Sequence, residues 1–210
     1  GTFAIRFYAW TASLFADLDF TGLKNQAMDA AIPFRQLTAQ LSPILFDEPT
    51  LAGKAAVAER FLLRALDGIR PDMDLLNAIH TLLKTNGRAR IHDLCSDAVI
   101  SQRKLERLFQ RHMGISPKGF ASLMRYQLLW QDLAAHPQLN LLDAVDKYGY
   151  TDQAHLLNDF RRRHLRHSRS FLFFRLFGFF CFYRRFFFFL LLFAGGFFFF
   201  LHFRSSRLCR

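Results

Sequence analysis

The chain has 210 residues, 51% hydrophobic and 21% charged, which is enough apolar content for one or two cored domains. Its net charge of +11 is unevenly spread: residues 1–72 carry −1, residues 73–170 carry +6, and residues 171–210 add six Arg and no acid. Cys95, Cys181 and Cys209, an odd number at wide spacings, exclude a CxxC pair and a secreted disulfide framework, so a reducing, cytoplasmic setting is expected. The basic middle block suits a nucleic-acid module. The first residue is Gly1 and no basic-then-apolar leader opens the chain, so a fragment lacking its true beginning is expected.

Residues 2–8, TFAIRFY, alternate and are rich in β-branched and aromatic types, which predicts a strand with no evident partner. Residues 11–20 and 23–30 carry no clear period. After Pro33, the spacing of Phe34, Leu37 and Leu41 predicts a short helix ending before Pro43. Residues 51–68 read as a firmer helix with Ala55, Ala58, Phe61, Leu62 and Ala65 on one side and Gly68 near its end. This first block reads as a packed α or α+β remnant with no visible site.

IRPDMD marks a boundary, because Pro71 interrupts a helix and Asp72 can cap the next. That helix runs to about Asn86 with Leu75, Leu76, Ile79, Leu82 and Leu83 inward, and Gly87 supplies the left-handed residue that ends it. Residues 91–113, IHDLCSDAVISQRKLERLFQRHM, then read as a short helix, a tight turn and a second helix capped by Ser101. Leu105, Leu108 and Phe109 face inward, and Gln102, Arg103, Glu106, Arg107 and Gln110 form an outer face able to reach base edges and phosphates. Ser116 and Pro117 open a long helix to about Ala135, with Phe120, Leu123, Met124 and Leu128 inward and Pro137 beyond its end. The theme then repeats: a short helix, a turn at Gly149, Thr151 as cap, and a helix with Leu156 and Phe160 inward.

The strings ISQRKLERLFQRHMGISPKGFASLMRYQ, residues 100–127, and AVDKYGYTDQAHLLNDFRR, residues 144–162, resemble the AraC/XylS family of bacterial transcription regulators. The resemblance covers roughly residues 73–168. It implies a mainly α fold in which two helix-turn-helix subdomains, joined by a long linker helix, each insert a recognition helix into successive major-groove segments on one face of the DNA. Gln102, Arg103, Glu106 and Arg107 match the reading positions of the first recognition helix, and Gln153, His155 and Asn158 those of the second. Arg125 matches an arginine used for structure or backbone contact. Asn158 departs from the arginine often found there. The closing Ser-Pro pattern is replaced by LRHSRSF, residues 165–171. Residues 1–71 more weakly resemble the end of an N-terminal sensor or dimerisation-type domain, a partial α+β remnant.

Arg103 and Arg107, four apart on one helical face, can each make a bidentate contact to guanine; the plainer alternative is a solvated helix face. Glu106 can accept from cytosine N4 or orient an arginine, and the sequence leaves both open. Arg161, Arg162 and Arg163 beside His164 can hold phosphates. The histidines form no ligand set with Cys or carboxylates, and no nucleophilic triad, Gly-rich phosphate loop or paired carboxylate stands out, so neither a metal, a cofactor nor an enzymatic activity is expected. Tyr126 and Trp130 read as packing residues rather than base-stacking platforms.

Residues 171–210 hold 17 of the 27 Phe, and residues 186–201, FFFFLLLFAGGFFFFL, are apolar throughout. A spanning helix needs about 20 residues. One reading is a membrane-seeking anchor with basic flanks, which would make the chain a membrane-attached helical interaction protein. The preferred reading is a frameshift product or junction. The resulting expectation is a double helix-turn-helix domain over 72–168, a remnant over 1–71 and a Phe-rich low-complexity tail over 169–210. Its expected partners are double-stranded DNA, RNA polymerase, and a second copy bound through the missing N-terminal part. The effector is left unassigned.

Overall fold

Phe3, Ile5 and Phe7 fall on one face of the strand Thr2–Tyr8 (β1) and pack on a core, as a period of two requires. In the computed structural model, residues 2–24, 26, 28–136, 138–161 and 198–204 are described. They fall into two compact units: one drawn from Gly1–Leu76, Ile100–Ser116 and Phe197–Arg210, the other from Asn77–Val99 and Pro117–Gly196.

In the first unit β1 pairs antiparallel with Phe198–Arg204 (β2), Thr2 opposite Arg204 and Tyr8 opposite Phe198. The strand predicted to lack a partner therefore has one, drawn from the far end of the chain, and its backbone groups gain a ladder. A short helix, Ala9–Ala12 (α1), follows. The loop after it is fixed by Asp17, whose amide donates to the Pro33 carbonyl at 2.8 Å while its carboxylate accepts the Gln36 amide at 2.9 Å.

Helix Arg35–Asp47 (α2) buries Leu37, Leu41 and Leu45, a stripe at a spacing of four, and it runs through Pro43 instead of ending before it. Proline removes one helical donor. Pro43 and Ala39, whose carbonyl loses that donor, both lie on the exposed side, and burial of Leu45 beyond the proline favours continuation. Thr50 caps Leu51–Ala65 (α3), its hydroxyl oxygen accepting the Gly53 amide at 3.0 Å. Ala58 is buried and Phe61 and Leu62 pack beside it, whereas Ala55 is exposed, narrowing the predicted apolar face.

Helix Met73–Lys84 (α4) starts where Asp72 Oδ1 accepts the amides of Asp74 and Leu75, at 3.0 and 3.1 Å. Leu75, Ile79 and Leu82 are buried, but Leu83, predicted inward, is exposed: a stripe at 75, 79 and 82 leaves it a full residue's rotation off the core. Gly87, at φ +74°, ends the helix with its amide on the Leu82 carbonyl at 2.8 Å. Ile91–Ala98 (α5) closes on Val99 at φ +53°, and Gln102–Met113 (α6) belongs to the first unit.

The second unit contains Pro117–Ala135 (α7), Leu141–Tyr148 (α8) and a helix over 153–161 (α9). Leu129, Ala144, Val145, Tyr148, Tyr150 and Leu156 form its core. The Asp132 carboxylate accepts from both the Lys147 ammonium and the Tyr148 hydroxyl, tying α7 to α8, and these two donors hold the Asp132 carboxyl below its usual range. Tyr126 and Trp130 of α7 meet the Phe160 ring at 5.5 and 6.0 Å, the packing role expected of them. The α9 cap is Asp152 rather than Thr151: its Oδ1 accepts the His155 amide at 2.6 Å, which places the cap directly before the first helical residue.

Among the described residues no helix is long and apolar enough to cross a membrane. The readings of Arg162, of LRHSRSF and of the Phe-rich run lie outside the described residues, apart from the backbone of 198–204.

Candidate nucleic-acid interface

Helix α6 forms where the sequence gives it both ends and one inner face. Ser101 Oγ accepts the Lys104 amide at 3.2 Å, and Gly114, at φ +69°, closes the helix with its amide on the Gln110 carbonyl at 2.8 Å. Leu105, Leu108, Phe109 and Met113 are buried. Gln102, Arg103, Glu106 and Arg107 are exposed, and Gln110 is half-buried at the edge. The helix thus divides into an apolar face and a polar one.

Gln102 Nε2 donates to Glu106 Oε1 at 2.9 Å, so this pair orders itself along the helix. Arg103 and Arg107 are exposed and make no hydrogen bond or ion pair among the described residues. Lys104 is different: its ammonium sits 2.5 Å from Asp74 Oδ2 of α4. That ion pair fixes the first turn of α6.

The last turn of α6 is held by the N-terminal segment, which the sequence did not signal. Phe20 donates its amide to the Arg111 carbonyl at 2.8 Å, and Ser13 Oγ and His112 Nδ1 are hydrogen-bonded at 2.8 Å. Burial, then the neighbouring Arg111, lowers the His112 pKa against the opposing pull of Asp72 and Asp19.

In the second unit, His155, Asn158 and Arg161 are exposed and Gln153 is half-buried, while Leu156 on the opposite side is buried. The His155 ring stands edge-on to Tyr150 at 5.3 Å. Arg125 is placed unlike the others. It is half-buried, its Nη1 donates to the Gly87 carbonyl at 3.4 Å, and its guanidinium lies 5.3 Å from the Tyr150 ring centroid. Asp159 was not singled out by sequence reasoning, because an acid beside arginines on a polar helix reads as surface; it is 4% exposed.

Among the described residues no group of three or more His, Cys, Asp or Glu is placed to hold a metal ion.

A family model described as a helix-turn-helix domain matches residues 94–167, the stretch from α5 through α9. These residues are a helix-turn-helix domain of the AraC/XylS type, whose general work is DNA-binding transcription regulation. The match does not reach the N-terminal residues. No curated protein and no solved structure matches the chain.

Proposed function

We propose that this chain is a sequence-specific transcription regulator that inserts two recognition helices, α6 and α9, into successive major-groove segments about 10 bp apart. The observation that carries the reading is the division of α6, with Leu105, Leu108, Phe109 and Met113 buried and Gln102, Arg103, Glu106 and Arg107 exposed. A helix anchored through one face can present the other to base edges. Arg103 and Arg107 offer planar forks that match guanine O6 and N7, a contact worth roughly 1–3 kcal/mol of discrimination. Glu106, already accepting from Gln102, carries that amide with it.

On α9 we assign base reading to Gln153, His155 and Asn158, and phosphate contact to Arg161 together with Arg162. Gln110 is assigned to the edge of the first contact surface, and Arg125 to support of the linker helix α7. Residues 72–168 would form the DNA-binding part and residues 1–71 the remnant of a sensor or dimerisation-type domain. RNA polymerase and a second copy of the chain are the further partners in this reading.

The test is binding of the full chain to a selected promoter fragment across salt concentrations, with Arg107→Ala and Arg162→Ala beside it. Affinity should fall steeply with salt as counterions are released. Arg107→Ala should relax preference at one base step, and Arg162→Ala should weaken all sequences alike. Binding that is indifferent to both salt and sequence contradicts the proposal.

A further inference from the structure

Asp159 lies within α9, between the exposed Asn158 and the inward Phe160, and it is the only buried charged side chain among the described residues. Two hydroxyls converge on one of its oxygens: Ser122 Oγ of α7 at 3.0 Å and the Tyr150 hydroxyl, from the turn before α9, at 3.3 Å. Tyr150 also stands under the Arg125 guanidinium, which in turn holds the Gly87 carbonyl. One carboxylate therefore joins α9 to the linker helix and to its own preceding turn.

The apolar contacts of α9 do not fix its roll so closely. Leu156 in the core and Phe160 against Tyr126 and Trp130 decide which face of α9 turns inward, and so set its roll coarsely. A hydrogen bond is directional and weakens steeply as its angle opens. At 100° per residue, rotating α9 enough to move His155 or Asn158 to another base edge would pull Asp159 away from both hydroxyls. Losing two hydrogen bonds to a buried carboxylate is costly, so such rotation is opposed.

We infer that Asp159 is a positioning residue for base reading: it sets the angle at which α9 presents His155 and Asn158 to DNA, through Ser122 and Tyr150. This rests on the proposed role of α9 as a second recognition helix.

The experiment is selection of binding sites from a randomised duplex pool by the full chain. Wild type, Asp159→Leu and Asp159→Asn are compared, with folding checked by circular dichroism at the assay temperature. Arg107→Ala assigns one half of the selected site to α6, and the other half then belongs to α9. Asp159→Leu should lower base discrimination in the α9 half at least tenfold and leave the α6 half unchanged. Asp159→Asn, which keeps an acceptor for both hydroxyls, should restore most of it. If Asp159→Leu does not fold, Ser122→Ala and Tyr150→Phe, each removing one donor at nearly constant volume, should blur the α9 half in the same way. Unchanged preference in both halves, or an equal loss in both, overturns the inference while leaving two-helix reading intact. A wild-type chain that selects only one half-site overturns the two-helix reading, and this inference with it.

Discussion

Ser13 Oγ and His112 Nδ1 are hydrogen-bonded at 2.8 Å, joining the segment after α1 to the last turn of α6. With the Phe20 amide on the Arg111 carbonyl, this gives the C-terminal end of α6 two fixed points in the first unit, and the Lys104–Asp74 ion pair gives its N-terminal end another. The helix assigned to reading DNA is therefore braced at both ends.

The burial of His112 predicts an acid-sensitive first unit. The His112 pKa is lowered in the folded chain by burial and by Arg111, so the unfolded chain binds the proton more readily. The stability that His112 contributes is fully present above the ordinary histidine range, declines as pH falls through about 6.5, and levels off below the folded pKa. His112→Gln should flatten that decline in urea unfolding measured between about pH 7.5 and 5. An unchanged pH dependence in the variant would show that other groups cause it.

Two glycines separate the cost of backbone strain from the cost of contact. Gly68 and Gly114 both have positive φ, +81° and +69°, but a Cβ at Gly68 meets nothing within 4 Å while one at Gly114 would lie 2.7 Å from the Phe20 carbonyl oxygen. Gly68→Ala should cost about 1 kcal/mol, for the left-handed backbone alone. Gly114→Ala should cost more than about 2 kcal/mol, because backbone rather than a flexible side chain must move. Equal costs in urea unfolding would mean that residue 20 does not approach α6 this closely.

Val99 presents the opposite case. It holds φ +53° at the end of α5 and is 91% exposed, so its side chain gains little from burial while its backbone is strained. Val99→Gly should raise stability by about 0.5–1 kcal/mol, the relief of left-handed strain less the added freedom of the unfolded chain. A thermal midpoint that falls in this variant would show that the valine side chain contributes a contact beyond its exposure.

Local signals in the sequence were legible where one short stretch contained the whole reason for a structure. Ser101 as cap, the stripe Leu105, Leu108 and Phe109, and the outer set from Gln102 to Arg107 follow from spacing within one helix. Asp72 as a cap and Gly87 as a stop were legible for the same reason. Features that depend on distant chain were not. The partner of β1 comes from residues 198–204, and the brace on α6 comes from residues 13–20, with no local pattern to signal either. Pro43 reads as a terminator until the burial of Leu45 beyond it is known. Asp159 reads as a surface acid until Ser122 and Tyr150 are brought to it.

The most direct test of the account is methylation interference on a selected DNA site, since guanine N7 lies in the major groove and its methylation blocks a helix that reads there. Two clusters of interfering guanines about 10 bp apart on one face of the duplex are predicted, with Arg107→Ala removing interference within one cluster only. Interference confined to a single cluster, or none at any guanine N7, would contradict the placement of α6 and α9 in successive major-groove segments.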